Sequence, residues 1–120
     1  MSSCNNSFVE AAYRHGIELF NKGEFFDAHE VLEEVWRAAP SSEKKFLQGL
    51  IQVAVALHHY SRGNLIGARS LLKRAHRNLS SYPEQHGGIR LAAFRDSVTR
   101  WSEALENGHT VPALPHIVGR

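Results

Sequence analysis

Apolar residues recur along most of this chain at intervals of three and four, the period of a helix that buries one face. Five such runs can be traced. The first opens at Ser7-Phe8-Val9-Glu10, where Ser7 stands as a helix cap and Glu10 is placed to reach back to it. It continues through Ala11, Ala12, Ile17, Leu19 and Phe20 and stops at Asn21-Lys22-Gly23. The second spans about 25–39 and ends at Pro40, which cannot continue a helix. Ser41 or Ser42 caps the third, which runs to about 61, where Arg62-Gly63-Asn64 breaks it. Asn64 caps the fourth, to about 80. Pro83 and Gly87-Gly88 mark a loop, and the fifth run covers about 89–106, stopped by Asn107-Gly108. The tail, HTVPALPHIVGR, contains two prolines and reads as extended. Nothing reads as a strand, since Val53 and Val55 lie inside a long apolar helical run.

The segment FNKGEFFDAHEVLEEVWR, starting at Phe20, aligns with YSRGNLIGARSLLKRAHR, starting at Tyr60, at a spacing of 40 residues. Gly23 matches Gly63, Ala28 matches Ala68, Leu32 matches Leu72 and Arg37 matches Arg77; Phe25/Leu65, Phe26/Ile66 and Val31/Leu71 stay apolar. The glycine suits a left-handed turn that ends one helix, and the alanine allows the next helix to approach its partner closely. The predicted fold is therefore all-α: a compact bundle of two stacked helix–turn–helix hairpins plus a fifth helix, within one domain spanning 1–120. Two units fall short of the three or so that a solenoid requires.

On the second helix Phe25, Ala28, Leu32, Val35 and Trp36 share the apolar side, while Asp27, Glu30 and Glu34 point to water. His29 and Glu33, one turn apart, fall on the border beside Trp36. The third helix is apolar almost all round, with one polar stripe of Lys45, Gln48, Gln52, His59 and Arg62. A half-buried glutamine needs partners, so these residues predict one polar cluster of His29, Glu33, Gln48 and Gln52, joined by His59 or His58. Three readings of it stay open. It is a satisfied network that fixes helix register. It is a ligand pocket framed by Trp36, Phe26 and the glutamines. Or it is a metal site with His29, Glu33 and His58 or His59 as ligands. The last is the least supported, because His-Glu-x-x-Glu lacks the second histidine of the zinc-protease box and no paired Glu-x-x-His motif occurs.

Charge changes the picture more than composition does. Residues 1–43 carry eight acids and three bases, whereas residues 44–83 carry seven bases and no acid. Arg69, Lys73, Arg74 and Arg77 form a basic stripe on the fourth helix, a nucleic-acid candidate without interleaved aromatic rings. The preferred reading is that the acidic and basic halves pack together, within one chain or through self-association. One cysteine, Cys4, excludes an internal disulfide and suits a cytoplasmic protein. No signal-peptide core and no membrane-length apolar run is present. His76, His86, His109 and His116 have no ligand spacing and read as surface residues. No nucleophile–base spacing or phosphate loop occurs, so no catalytic residue and no cofactor is assigned.

The stretches Phe20-Asn21-x-Gly23-Glu24-Phe25-Phe26-x-Ala28-His29-Glu30-x-Leu32-Glu33-x-x-Trp36-Arg37, Phe46-Leu47-Gln48-Gly49-Leu50-Ile51-Gln52 and Arg62-Gly63-Asn64-x-x-Gly67-Ala68 together resemble the family known as domain of unknown function 309, over about residues 15–80. These are small bacterial, archaeal and plastid proteins. The resemblance implies an all-α bundle and no established activity. The family motif falls on His29, Glu30, Glu33, Trp36, Gln48, Gln52 and Asn64. The reading that results is a non-enzymatic binding or scaffold module, with a His/Glu/Gln cluster between helices 2 and 3. A small enzyme or metal-binding protein using His29 and Glu33 is the first alternative, and an RNA-associated protein using the fourth helix is the second.

Overall fold

The computed structural model describes the backbone of residues 3–119, with side chains from Val9 onward. Five helices follow in order: α1 (Ser3–Asn21), α2 (Phe25–Ala38), α3 (Ser41–Ser61), α4 (Leu65–Leu79) and α5 (Leu91–Asn107). Each helix lies against the next in sequence, from α1 on α2 to α4 on α5. The all-α bundle predicted from periodicity is the observed architecture.

The repeat is real at the level of backbone geometry. Gly23 and Gly63 have φ of +83° and +82°. At the first turn Gly23 N–H donates to the Phe20 carbonyl and Glu24 N–H to the Leu19 carbonyl, each at 2.9 Å. At the second, Gly63 N–H donates to Tyr60 at 3.0 Å and Asn64 N–H to His59 at 2.8 Å. Both are the same paired helix-terminating motif, which satisfies the last carbonyls and needs a residue without Cβ strain at positive φ. The matched residues Ala28, Ala68, Leu32 and Leu72 are all fully buried. Asn64 caps α4 as expected, its Oδ1 accepting from Gly67 N–H at 3.0 Å.

Three details differ from the expectations. α1 begins at Ser3, so its backbone is already helical at Ser7; the side chains of Ser7 and Cys4 lie outside the described residues. The cap of α3 falls on Pro40 (φ −68°, ψ 158°), whose side chain accepts nothing, and not on Ser41 or Ser42. Ala39 before it is extended, as the residue preceding a proline must be to avoid the ring. The third difference is a small antiparallel hairpin of two strands, β1 (Gln85–His86) and β2 (Ile89–Arg90), where a plain loop was expected. Gly87 and Gly88 form its two-residue turn with φ of +60° and +72°, the double positive φ that matches strand twist.

The extended tail is anchored on the bundle. Asn21 holds Ile117 by both backbone groups: Nδ2 donates to the carbonyl at 2.9 Å and Oδ1 accepts the N–H at 2.8 Å. Trp101 Nε1 donates to the Ala113 carbonyl at 2.9 Å, and Arg90 N–H donates to the Val118 carbonyl at 2.8 Å. Ile117 enters the core with Phe20, Phe94 and Trp101, so the tail closes one side of the bundle. α3 supplies the greatest number of buried positions, from Phe46 to Leu57.

At Gly49 a Cβ would lie 2.6 Å from Cγ of the buried Leu79, so the absence of a side chain sets the distance between α3 and α4. Gly49→Ala is expected to destabilise the fold by about 1–3 kcal/mol through overpacking. A urea titration showing a lower midpoint with unchanged slope would bear this out, and an unchanged midpoint would refute it.

Candidate functional site

On the α2 border, His29 Nε2 lies 3.4 Å from Glu33 Oε2, and Arg37 Nη2 donates to Glu33 Oε1 at 3.3 Å. Helical spacing of four residues produces both contacts. The glutamines do not join them. Gln52 Oε1 accepts from Asn78 Nδ2 of α4 at 2.9 Å, and Gln48 is exposed, with no side-chain partner among the described residues. His59 turns to Asn64, 3.4 Å away, and His58 faces Phe26, ring centroids 5.6 Å apart. The expected meeting of His29 and Glu33 with Gln48, Gln52 and His59 is therefore corrected. α3 is wide enough that its polar stripe splits, Gln52 leaning to α4 while the His29–Glu33 pair stays on the outer edge of α2.

Trp36 lies half-buried beneath Lys44, whose ammonium sits 4.3 Å from the ring centroid and also donates to the Trp36 carbonyl. His29 Nδ1 and Trp36 Nε1 are buried without a partner among the described residues. The border is thus not a closed network. Glu30 points to solvent. Among the described residues no group of three His, Cys, Asp or Glu stands close enough to hold a metal ion, and His29, Glu33 and His58 do not converge on one.

The basic stripe is partly neutralised, but not by the acidic half. Glu106 of α5 takes Arg69 and Lys73 at 3.1 Å each, and these cations hold its carboxyl below the usual range. α4 packs chiefly on α3 and α5, and among the described residues no ion pair joins the stripe to an acid of α1 or α2. Arg74 and Arg77 stay exposed.

A second cluster was not legible in the spacing. The 85–90 hairpin folds His86 onto Phe46 and Tyr82, with ring centroids 4.8 and 4.6 Å apart, and brings its Nε2 to 2.7 Å from Glu43 Oε1. Tyr13 of α1 donates its hydroxyl to the Gly87 carbonyl at 2.7 Å. Burial, and then the Glu43 carboxylate, push the Tyr13 phenol well above its ordinary pKa. His86 is a half-buried partner of a carboxylate, not the free surface residue expected. The signal was present in Gly87-Gly88, a two-residue hairpin turn that returns the chain to α3. Beside these residues opens a cleft of about 360 Å³ between α1, the α2–α3 corner and the hairpin.

Fold and site define a small all-helical protein of two repeated hairpins, closed by a fifth helix and a pinned tail. Residues 13–71 match the family model described as Domain of unknown function (DUF309), and the chain belongs to that family. It is similar to an uncharacterized protein of Aquifex aeolicus (strain VF5), 39% identical over 77 residues that make up 63% of this chain and 23% of the relative. It is also similar to the uncharacterized protein YpuF of Bacillus subtilis (strain 168), 38% identical over 66 residues, 54% of this chain and 38% of the relative. The chain thus spans less than two fifths of the length of either relative.

Two measurements probe these clusters. Glu33 and Arg37 have side chains 41% and 63% exposed, so Glu33→Ala is expected to cost less than about 1 kcal/mol. A loss several times larger would reveal a tightly coupled network. For Tyr13, a folded pKa above the ordinary 10.0 stabilises the fold fully below pH 10, and this contribution is lost as pH rises beyond it, because the unfolded chain ionises first. Urea midpoints at pH 8 and about pH 10.5 should fall less in Tyr13→Phe than in the parent. Equal falls would show that the phenol is not held neutral.

Proposed function

We propose that this chain is a non-enzymatic binding and scaffold module that joins protein surfaces, beginning with its own copies, through the outer faces of α2 and α4. One observation carries the reading: at repeat-equivalent positions the two helices present opposite charge beside an exposed apolar residue. On α2, Phe26 is 51% exposed and is flanked by the exposed Asp27, Glu30 and Glu34. On α4, Ile66 is 80% exposed, with the exposed Arg74 and Arg77 along the same helix, while Lys73 is held by Glu106 of α5. Glu33-Glu34 and Lys73-Arg74 hold matching places in the repeat. The two faces carry complementary charge beside an exposed apolar side chain, which steers one onto the other and disfavours like-on-like pairing. Because no ion pair joins them inside one chain among the described residues, a second copy is the occupant that satisfies both.

Other features agree with this reading. The matched region is a minority of each relative's length, as expected of a module joined to other segments. Among the described residues no helix is long and apolar enough to cross a membrane, and a lone cysteine suits a reducing cytosol. The RNA-associated alternative is weakened by the capture of Arg69 and Lys73 by Glu106. The enzyme or metal alternative loses its second ligand layer once Gln48, Gln52 and His59 point elsewhere.

Sedimentation of the full chain should show self-association at low salt that disappears at high salt. Paired reversals Glu30→Lys with Glu34→Lys, or Arg74→Glu with Arg77→Glu, should each give monomers, and mixing the two variants should restore a complex. A chain monomeric at all concentrations in low salt would overturn the proposal. Steep salt-dependent binding to random RNA, lost in the α4 variant, would move the function to nucleic acid.

A further inference from the structure

We propose that the cleft between the Val9–Tyr13 stretch of α1, the α2–α3 corner and the 85–90 hairpin is a binding site for a small organic cation, an ammonium group on an apolar body. This site is separate from the α2 and α4 faces and does not depend on them.

The volume, about 360 Å³, is within the range of small-molecule pockets. Its floor and walls are apolar and aromatic: Val9, Tyr13, Val35, Phe46 and Leu47. Its charged lining residues are Glu10 and Glu43, and no lysine or arginine lines it among the described residues. A cleft with low-dielectric walls and charge of one sign concentrates the opposite charge. The half-buried Tyr13 ring is of the kind whose face attracts ammonium groups, and the buried Phe46, its ring centroid 6.4 Å away, backs it. Because Tyr13 stays the neutral phenol with its hydroxyl spent on the Gly87 carbonyl, what it offers a ligand is its ring.

Glu43 is held in place. It stands in the first turn of α3, where the helix dipole favours a carboxylate. His86 bonds its Oε1, while Oε2 accepts from no side chain among the described residues. The lip of the cleft is also held. A Cβ on Gly87 would lie 2.6 Å from Phe46 Cε2 and 2.7 Å from Tyr13 Oη, so glycine is what lets the hairpin close down here. A metal ion fits poorly, since no group of three His, Cys, Asp or Glu assembles among the described residues. An organic cation needs only one or two carboxylates and an aromatic wall, and both are present.

The test is an amide and aromatic NMR titration of the full chain with phenethylammonium, with the neutral 2-phenylethanol as control. The amine should shift Tyr13, Phe46 and Gly87 and bind at least about tenfold tighter than the alcohol, a difference of ~1.4 kcal/mol. Glu43→Gln should remove most of that preference. Glu10→Gln, on an exposed helical position, should lower it without threatening the fold. Shifts scattered over the surface, equal binding of amine and alcohol, or an unchanged preference in both folded variants would each overturn the site.

Discussion

The arrangement depends on keeping α3 out of water. Phe46, Leu47, Leu50, Val53, Ala54, Ala56 and Leu57 are all buried, and they point in too many directions for a single neighbour to cover. α2 and α4 therefore lie on two sides of it, and the turns that lead into them have to be tight. Gly23 and Gly63 meet that demand with the same backbone conformation and the same hydrogen bonds. Gly49 sets the spacing to α4, because any side chain there would strike Leu79. The bulk of the free energy resides in this burial, at roughly 25 cal/mol per Å² of apolar surface. The exposed ion pairs add little by comparison.

The same constraint determines where polar residues can go. A helix covered on most sides leaves only narrow polar edges, and neighbouring helices share those edges out. Gln52 is taken by Asn78, and the His29–Glu33 pair is left on the rim of α2 with Arg37. The half-buried chemistry lies instead at the end where α1, α3 and the hairpin meet. There Glu43, His86 and Tyr13 are collected from positions 30 to 73 residues apart in the chain.

The hairpin and the tail stabilise that end. Asn21 stands in for a strand by holding both backbone groups of Ile117, and Arg90 N–H reaches Val118. The tail adds Ile117 to the core and gives Trp101 an acceptor at Ala113. A segment rich in proline and without its own secondary structure thus completes the bundle by supplying backbone acceptors and one buried side chain.

Helix number, the two equivalent turns, the Asn64 cap and the buried stripe of Ala28 and Leu32 were legible in the sequence. All of these are set by interactions within a few residues: apolar period, glycine at positive φ, side-chain capping. The His29–Glu33 contact was legible for the same reason, since four-residue spacing on a helix forces it. Partners across helices were not. Whether Gln52 meets Glu33 or Asn78 depends on how far α2 and α4 roll around α3, and side-chain volumes across the whole core set that roll. The Glu43–His86 pair and the cleft beside Tyr13 depended on Gly87-Gly88 turning the chain back and on the tail pinning the hairpin. Only the tertiary structure decides those placements, because they join residues far apart in the chain through packing that no local pattern encodes.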